Sequence, residues 1–138
     1  MGGARLGGGQ LAIAYAAALV ATLVLDGLWL GFVAKDLYRR EMGALMAESV
    51  RVVPGVVFYV LFPAALVYLT LLTQPHGWGE AIVRGVVLGL AAYGAYDLTN
   101  LAIVRGWPLS ISMIDWAWGA VIGGAGAAAG YAATWARG

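Results

Sequence analysis

The chain has 138 residues, of which 62% are hydrophobic and 11% are charged, and its formal net charge is +1. Soluble domains carry roughly 25% charged residues, so this composition excludes an ordinary soluble domain and is typical of an integral membrane protein. The sequence lacks cysteine, which excludes disulfides and thiolate metal sites. Without a cationic cluster, a nucleic-acid partner is not expected.

Four apolar stretches are long enough to cross ~30 Å of hydrocarbon, which takes about 20 helical residues. The first, at about 11–34, is interpreted as an uncleaved transmembrane helix, and the others lie at about 52–73, 81–104 and 109–135. Their short connections make consecutive helices antiparallel neighbours. We therefore expect an all-α fold, an integral membrane four-helix bundle that forms a single transmembrane domain over residues 1–138.

The first connection has a helical pattern of its own. Tyr38, Met42, Leu45 and Met46 fall on one helical face, with charged residues mostly off it. This pattern predicts a short amphipathic helix between helices 1 and 2, lying in the membrane interface. A charged loop without helical structure is the alternative.

Lysine and arginine are distributed unevenly between the two ends of the predicted helices. Three lie toward the end that carries both termini, and five lie at the opposite end: Lys35, Arg39, Arg40, Arg51 and Arg105. Cytoplasmic loops carry the excess of positive charge. We therefore expect the first and third connections to face the cytoplasm and both termini to lie outside.

Three carboxylates, Asp26, Asp97 and Asp115, lie within the apolar stretches. A charge at the bilayer centre costs about 2.5–3.5 kcal/mol on insertion scales, so each carboxylate needs a partner, a proton or water. At 1.5 Å rise per residue, all three lie roughly 10–14 Å inside the same boundary. This shared depth predicts one site. Desolvation and mutual repulsion disfavour three ionised acids, so at least one is expected to be protonated.

The surroundings of the acids define the rest of the predicted site. Aromatic residues occupy the same zone, and for the set as a whole the favoured interpretation is anchoring at the membrane interface. Trp29 and Trp116, each within three residues of an acid, could instead wall a pocket and attract a cation. Asp97 is expected to be the most buried acid, with Asn100 as its hydrogen-bonding orienter. The complete predicted ligand- or proton-binding set is Asp26, Asp97, Asn100, Asp115, Trp29, Tyr93, Tyr96, Trp116 and Trp118. The alternative is that these acids are polar contacts that only hold the helices together.

Glycines recur at GxxxG spacing, which lets helix backbones approach closely. The pairs are Gly27/Gly31, Gly85/Gly89, Gly119/Gly123 and Gly126/Gly130. A homodimer through one of these Gly-rich faces is a prediction that follows from the spacing. His76 is the only histidine, so haem ligation, zinc chemistry and a Ser/His/Asp triad lack their residues. No metal and no cofactor are predicted.

Several motifs together resemble one known family. They are LDGLWLG at 25–31, YRR at 38–40, YGAYDLTN at 93–100, WP at 107–108 and DWAWG at 115–119. The chain resembles, from about residue 11 to 131, the bacterial predicted membrane proteins of domain-of-unknown-function family 2177. The resemblance implies a small multi-pass protein of the bacterial inner membrane, with four spans. It implies no activity, substrate or cofactor.

The sequence leaves three functions open. The leading hypothesis is a carboxylate site within the membrane that binds or translocates a proton, a cation or a small amphipathic molecule of unknown identity. The first alternative is a membrane-embedded enzyme acting on lipids at the cytoplasmic leaflet, with the acids as general acid and base. The second is a non-catalytic assembly subunit. A non-enzymatic role is favoured, and the lipid bilayer is the predicted surrounding.

Overall fold

A computed structural model describes residues 4–47, 49 and 51–138 of the chain. The described residues form no β-strand beyond one isolated bridge between Arg5 and Thr73. Five α-helices follow one another: α1 Gly8–Leu28, α2 Lys35–Met42, α3 Val52–Thr70, α4 Trp78–Ile103 and α5 Leu109–Ala133. The all-α prediction is confirmed, and the short helix expected between the first two long helices is present as α2.

Three helical segments are long and apolar enough to cross a membrane. They are Gly8–Val33, Val52–Thr70 and Trp78–Ile103. The predicted fourth span corresponds to α5, which has 25 residues but is not among the three. The residues that lower the hydropathy of α5 are its glycines, together with Asp115, two serines and two tryptophans. The helix contacts α1, α3 and α4, so much of its surface faces protein.

Glycines bring α4 and α5 into backbone contact. A Cβ atom added to Gly85 would lie 2.3 Å from the Gly123 carbonyl oxygen, and one added to Gly89 would lie 1.9 Å from the Gly119 carbonyl oxygen. Only glycine permits so close an approach, as small-residue stripes do between membrane helices. Two of the four predicted glycine pairs are therefore used within the chain.

The other two glycine pairs differ from each other. Gly126 and Gly130 also pack inside, where added Cβ atoms would lie 2.4 Å from Leu66 and 2.5 Å from Leu71. Gly27 and Gly31 face open space, with nothing within 4 Å of an added Cβ. A homodimer through a glycine face therefore stays a prediction, and only the Gly27/Gly31 pair has its Cβ positions unoccupied.

The helix α1 changes character at its end. It continues as a π-helical turn, Trp29–Val33, in which the Ala34 N–H donates to the Trp29 carbonyl at 2.7 Å. The sequence predicted an uninterrupted helix here, because apolar periodicity does not distinguish a π turn from an α turn. Such turns are frequent at functional sites, and this one begins three residues after Asp26.

The helix α2 is shorter than its apolar pattern suggested. It ends at Met42, because Gly43 adopts a φ of 42°, a conformation that favours glycine, and a 3₁₀ turn follows at Gly43–Leu45. Leu45 and Met46 therefore lie beyond the helix and are exposed. Tyr38, which the pattern placed on the membrane-facing side, is instead half-buried and directed toward α5.

The two ends of the molecule are built differently. At the end that carries the termini, the N-terminal segment pairs with the α3–α4 connection through Leu6 N–H to Leu72 O at 3.0 Å. Arg84 donates to the carbonyls of Thr70 at 2.9 Å and Thr73 at 3.0 Å. These bonds satisfy carbonyls that the end of α3 leaves without helical partners. The opposite end contains a cleft.

Candidate functional site

The cleft has a volume of about 630 Å³ and is lined by residues of α1, the π turn, α2, α3, α4 and α5. Among the residues that the structure describes, two carboxylates contribute to its wall and no lysine or arginine does. The remaining lining is mainly apolar and aromatic. The lining residues that carry a carboxylate or a hydroxyl are Asp26, Tyr38, Tyr59, Tyr93, Tyr96 and Asp115.

Asp26 joins three helices. Its Oδ1 accepts a hydrogen bond from the Trp118 indole N–H at 2.7 Å, and its Oδ2 accepts one from the Tyr59 hydroxyl. The side chains come from α1, α5 and α3. The residue is 6% exposed. Because both of its oxygens have donors, the buried carboxyl group of Asp26 has its polar atoms satisfied, and it holds together the helices that carry its partners.

Asp115 is linked to α2 and to the π turn. Its Oδ1 accepts a hydrogen bond from the Tyr38 hydroxyl at 2.5 Å, and the Tyr38 oxygen accepts one from the Trp29 indole N–H at 3.2 Å. Burial, followed by the bond to Asp115, raises the pKa of Tyr38 far above its usual value. Tyr38 is therefore a neutral donor at physiological pH. Asp115 is half-buried, and only one of its oxygens is bonded among the described residues.

Stacked indoles connect the two carboxylate networks. The rings of Trp29 and Trp118 lie 4.5 Å apart between centroids, with 8° between their planes. Each indole N–H points to a different network, Trp118 to Asp26 and Trp29 to Tyr38. Offset aromatic pairs contribute about 0.5–1.5 kcal/mol beyond the area that they bury. The stack therefore fixes the spacing between the two acid-bearing parts of the cleft.

Asp97 lies behind the cleft wall rather than in it. It is 1% exposed, the most buried of the three acids, and its carboxyl group lies within interaction range of Asp115. Its Oδ2 is buried and has no hydrogen-bond partner among the described residues. The Asn100 amide therefore does not bond this oxygen, and Asn100 is absent from the cleft lining.

The aromatic residues predicted for the site divide into two groups. Trp29, Tyr93 and Tyr96 line the cleft, and Trp118 reaches it through Asp26. Trp116 does not, because its indole N–H donates to the Leu90 carbonyl of α4 at 2.9 Å. Its function in the structure is to hold α5 against α4.

Two residues that bond the acids, Tyr38 and Tyr59, were not among the predicted site residues. Tyr59 had a usable signal, because it lies eight residues after Arg51 and thus, at 1.5 Å rise per residue, at the depth of the acids. Tyr38 had none. Its position on an apolar helix face is equally compatible with contact to lipid.

No group of three or more His, Cys, Asp or Glu in the described part of the chain is arranged to hold a metal ion. The acids instead take hydrogen bonds from tyrosine and tryptophan. With two carboxylates, no basic residue and aromatic walls, the cleft can accept a positively charged group that carries apolar surface.

The helices and the cleft define a class, an α-helical membrane protein with an acidic aromatic cleft. Within that class, residues 11–132 match the family described as "Predicted membrane protein (DUF2177)", and the chain belongs to this family. The resemblance of its motifs to domain-of-unknown-function family 2177 is thereby confirmed. No curated protein sequence and no solved structure matches the chain.

Proposed function

We propose that the protein binds a small organic cation with an apolar body in the cleft. The observation that carries the proposal is the composition of the lining, which combines two carboxylates and aromatic rings with no basic side chain. A cation entering this cleft gains Coulomb attraction in a poorly solvated position. Its apolar body would lie against Trp29, Phe58 and Tyr93, where ring faces add cation–π attraction.

Asp115 is the proposed contact for the positive charge. Asp26 already accepts two hydrogen bonds, one on each oxygen, and is 6% exposed. Asp115 accepts one, from Tyr38, and is half-buried in the wall of the cleft. Its second oxygen therefore has capacity for a ligand, since an ionised carboxylate offers about four lone-pair positions.

The proposal includes a location. The protein would be a multi-pass protein of a bacterial inner membrane, one domain of four spanning helices with α5 as the fourth. The cleft is at the end with the greater number of lysine and arginine residues, so the positive-inside rule supports a cytoplasmic opening and external termini. The bonds of Arg84 and the N-terminal segment support closure of the other end, which makes this a conformation with access from one side.

Titration of purified protein with benzyltrimethylammonium tests the proposal, because this probe has a permanent charge and an aromatic body. Isothermal titration calorimetry should show saturable binding in nanodiscs, and benzenesulfonate, an anion of similar size, should not bind. Asp115→Asn should weaken the binding at least about tenfold, because it removes a Coulomb attraction of about 4 kcal/mol at ~4 Å and an effective dielectric constant of ~20, part of which is offset by desolvation. Asp36→Asn is the matched control, because Asp36 is exposed on α2. Equal affinities for all three proteins would refute the assignment.

A structural role is the second candidate, and the two bonded oxygens of Asp26 favour it for that residue. In a non-catalytic assembly subunit, all three acids would act only as contacts between helices. Asp115→Asn would then change stability or partner assembly without changing the affinity for any cation. The cation titration therefore separates the two candidates.

A further inference from the structure

The cation site proposed above does not use Asp97, although Asp97 has unusual surroundings. The residue is 1% exposed, and its Oδ2 atom is buried without a hydrogen-bond partner among the described residues. The register of the glycine contacts between α4 and α5 places Asp97 about one helical turn from Asp115. An ionised carboxylate in this position would lack the donors that make burial tolerable. Two neighbouring carboxyl groups also cannot both ionise without strong repulsion, and such pairs hold one proton between them.

We infer that the Asp97–Asp115 pair exchanges one proton for one cation, so that ligand binding in the cleft releases a proton. This inference rests on the proposed cation site and adds its coupling to pH. It identifies Asp97 as a proton-holding residue that does not touch the ligand. A cation gradient and a proton gradient across the membrane could then act on the same site.

Charge balance explains why the exchange is favourable. Without ligand, the pair carries one proton and a charge of −1. When a cation contacts Asp115, the proton passes from Asp97 by way of the Asp115 carboxylate, which lines the cleft, to water. The pair then becomes −2 while the cation adds +1. The total stays at −1 in both states. A buried site whose net charge is constant avoids the desolvation cost of an additional uncompensated ion.

The groups that surround Asp97 place the proton on it rather than on Asp115. From α2, Tyr38 donates to Asp115 and stabilises the ionised form of that residue. From α3, the Tyr59 hydroxyl donates to Asp26 of α1 and so has no bond to Asp97. On α4 itself, Tyr96 lines the same cleft and carries a hydroxyl group but no basic group. No basic residue of the described part of the chain belongs to the lining, so none of its cations replaces the proton.

Calorimetry in buffers of different ionisation enthalpy measures the exchange. Benzyltrimethylammonium carries no titratable proton, so any proton that appears comes from the protein. Wild-type protein and Asp36→Asn should release about one proton per bound cation. Below the pH at which the pair titrates, the Kd should rise about tenfold for each unit decrease in pH. Asp97→Asn should still bind the cation, with proton release near zero and a flat pH profile.

The outcomes are distinguishable. If wild-type protein does not bind the cation, both the proposed function and this inference fail. If it binds the cation without releasing a proton, the inference fails and the proposed function stands. Should Asp97→Asn not fold, infrared difference spectra of wild-type protein give the answer. The carbonyl band of a protonated aspartic acid should disappear when the cation binds, and an unchanged band would overturn the inference.

Discussion

The backbone contact between α4 and α5 yields a quantitative prediction for Gly89→Ala. The new methyl group would lie 1.9 Å from the Gly119 carbonyl oxygen, whereas ordinary van der Waals contact begins near 3.4 Å. The two helices must therefore separate locally by about 1.5 Å. Overpacking a close contact costs about 1–3 kcal/mol, while alanine in place of glycine in a helix returns ~0.5–1 kcal/mol. We expect a net loss of stability of up to about 2 kcal/mol.

Gly27→Ala is the matched control, because it makes the same chemical change in α1 where nothing lies within 4 Å of the added Cβ. Unfolding in mixed micelles, followed by tryptophan fluorescence, should rank Gly89→Ala below wild type and Gly27→Ala at or above it. If Gly89→Ala is as stable as Gly27→Ala, the close approach of α4 and α5 is refuted. The prediction depends on backbone geometry alone and is independent of the proposed ligand.

Two further predictions concern the polar contacts of the cleft. Asp26→Asn replaces one acceptor oxygen with an NH₂ group that must face the Trp118 or Tyr59 donor, so the free energy of unfolding should fall by about 1–3 kcal/mol. Asp36→Asn should lower the free energy of unfolding by less, about 0.3–1 kcal/mol, because Asp36 is exposed in the first turn of α2. Equal losses for the two variants would contradict the bonded role of Asp26. Tyr38 has a raised pKa because of burial and its bond to Asp115. Its contribution to stability should therefore be complete below the unfolded value of about 10 and be lost as the pH rises further. Tyr38→Phe should show a shallower alkaline decrease in unfolding free energy than wild type, and identical slopes would exclude this contribution.

The sequence predicted the depth of the site because helix rise is constant. Counting residues from the charged boundaries placed Asp26 and Asp115 at one level, and both carboxylates line the cleft. The same count from Arg51 would have placed Tyr59 at the level of these acids. Rotation about the helix axis was harder to predict. Trp116 and Trp118 lie two residues apart, about 200° around α5 at 3.6 residues per turn, so both could not face the cleft. The amino-acid sequence of α5 does not indicate which of the two tryptophans faces the cleft.

The position of Tyr38 could not have been predicted from periodicity. It depends on the π turn at Trp29–Val33, which sets where α2 begins, and on the positive φ of Gly43, which ends that helix after Met42. An amphipathic pattern identifies an apolar face but does not say whether lipid or protein covers it. For Asn100, the sequence predicted a hydrogen bond that the structure does not contain. Asn100 lies three residues after Asp97, but its amide does not bond the buried Oδ2 atom of that acid.

The glycine contacts also explain how two acids from antiparallel helices become neighbours. Gly85 lies against Gly123 and Gly89 against Gly119, so each step of four residues along α4 matches a step of four backward along α5. Continued for four more residues along both helices, this pairing of residues places Asp115 about one helical turn from Asp97. Side chains on a helix tilt toward its N-terminus, and in antiparallel helices these tilts point toward each other. The small residues that join α4 and α5 therefore also determine the separation of the Asp97–Asp115 pair. Because the two carboxyl groups lie on helices in backbone contact, neither can move away from the other without breaking that contact, and a proton or a cation is the remaining way to reduce their repulsion.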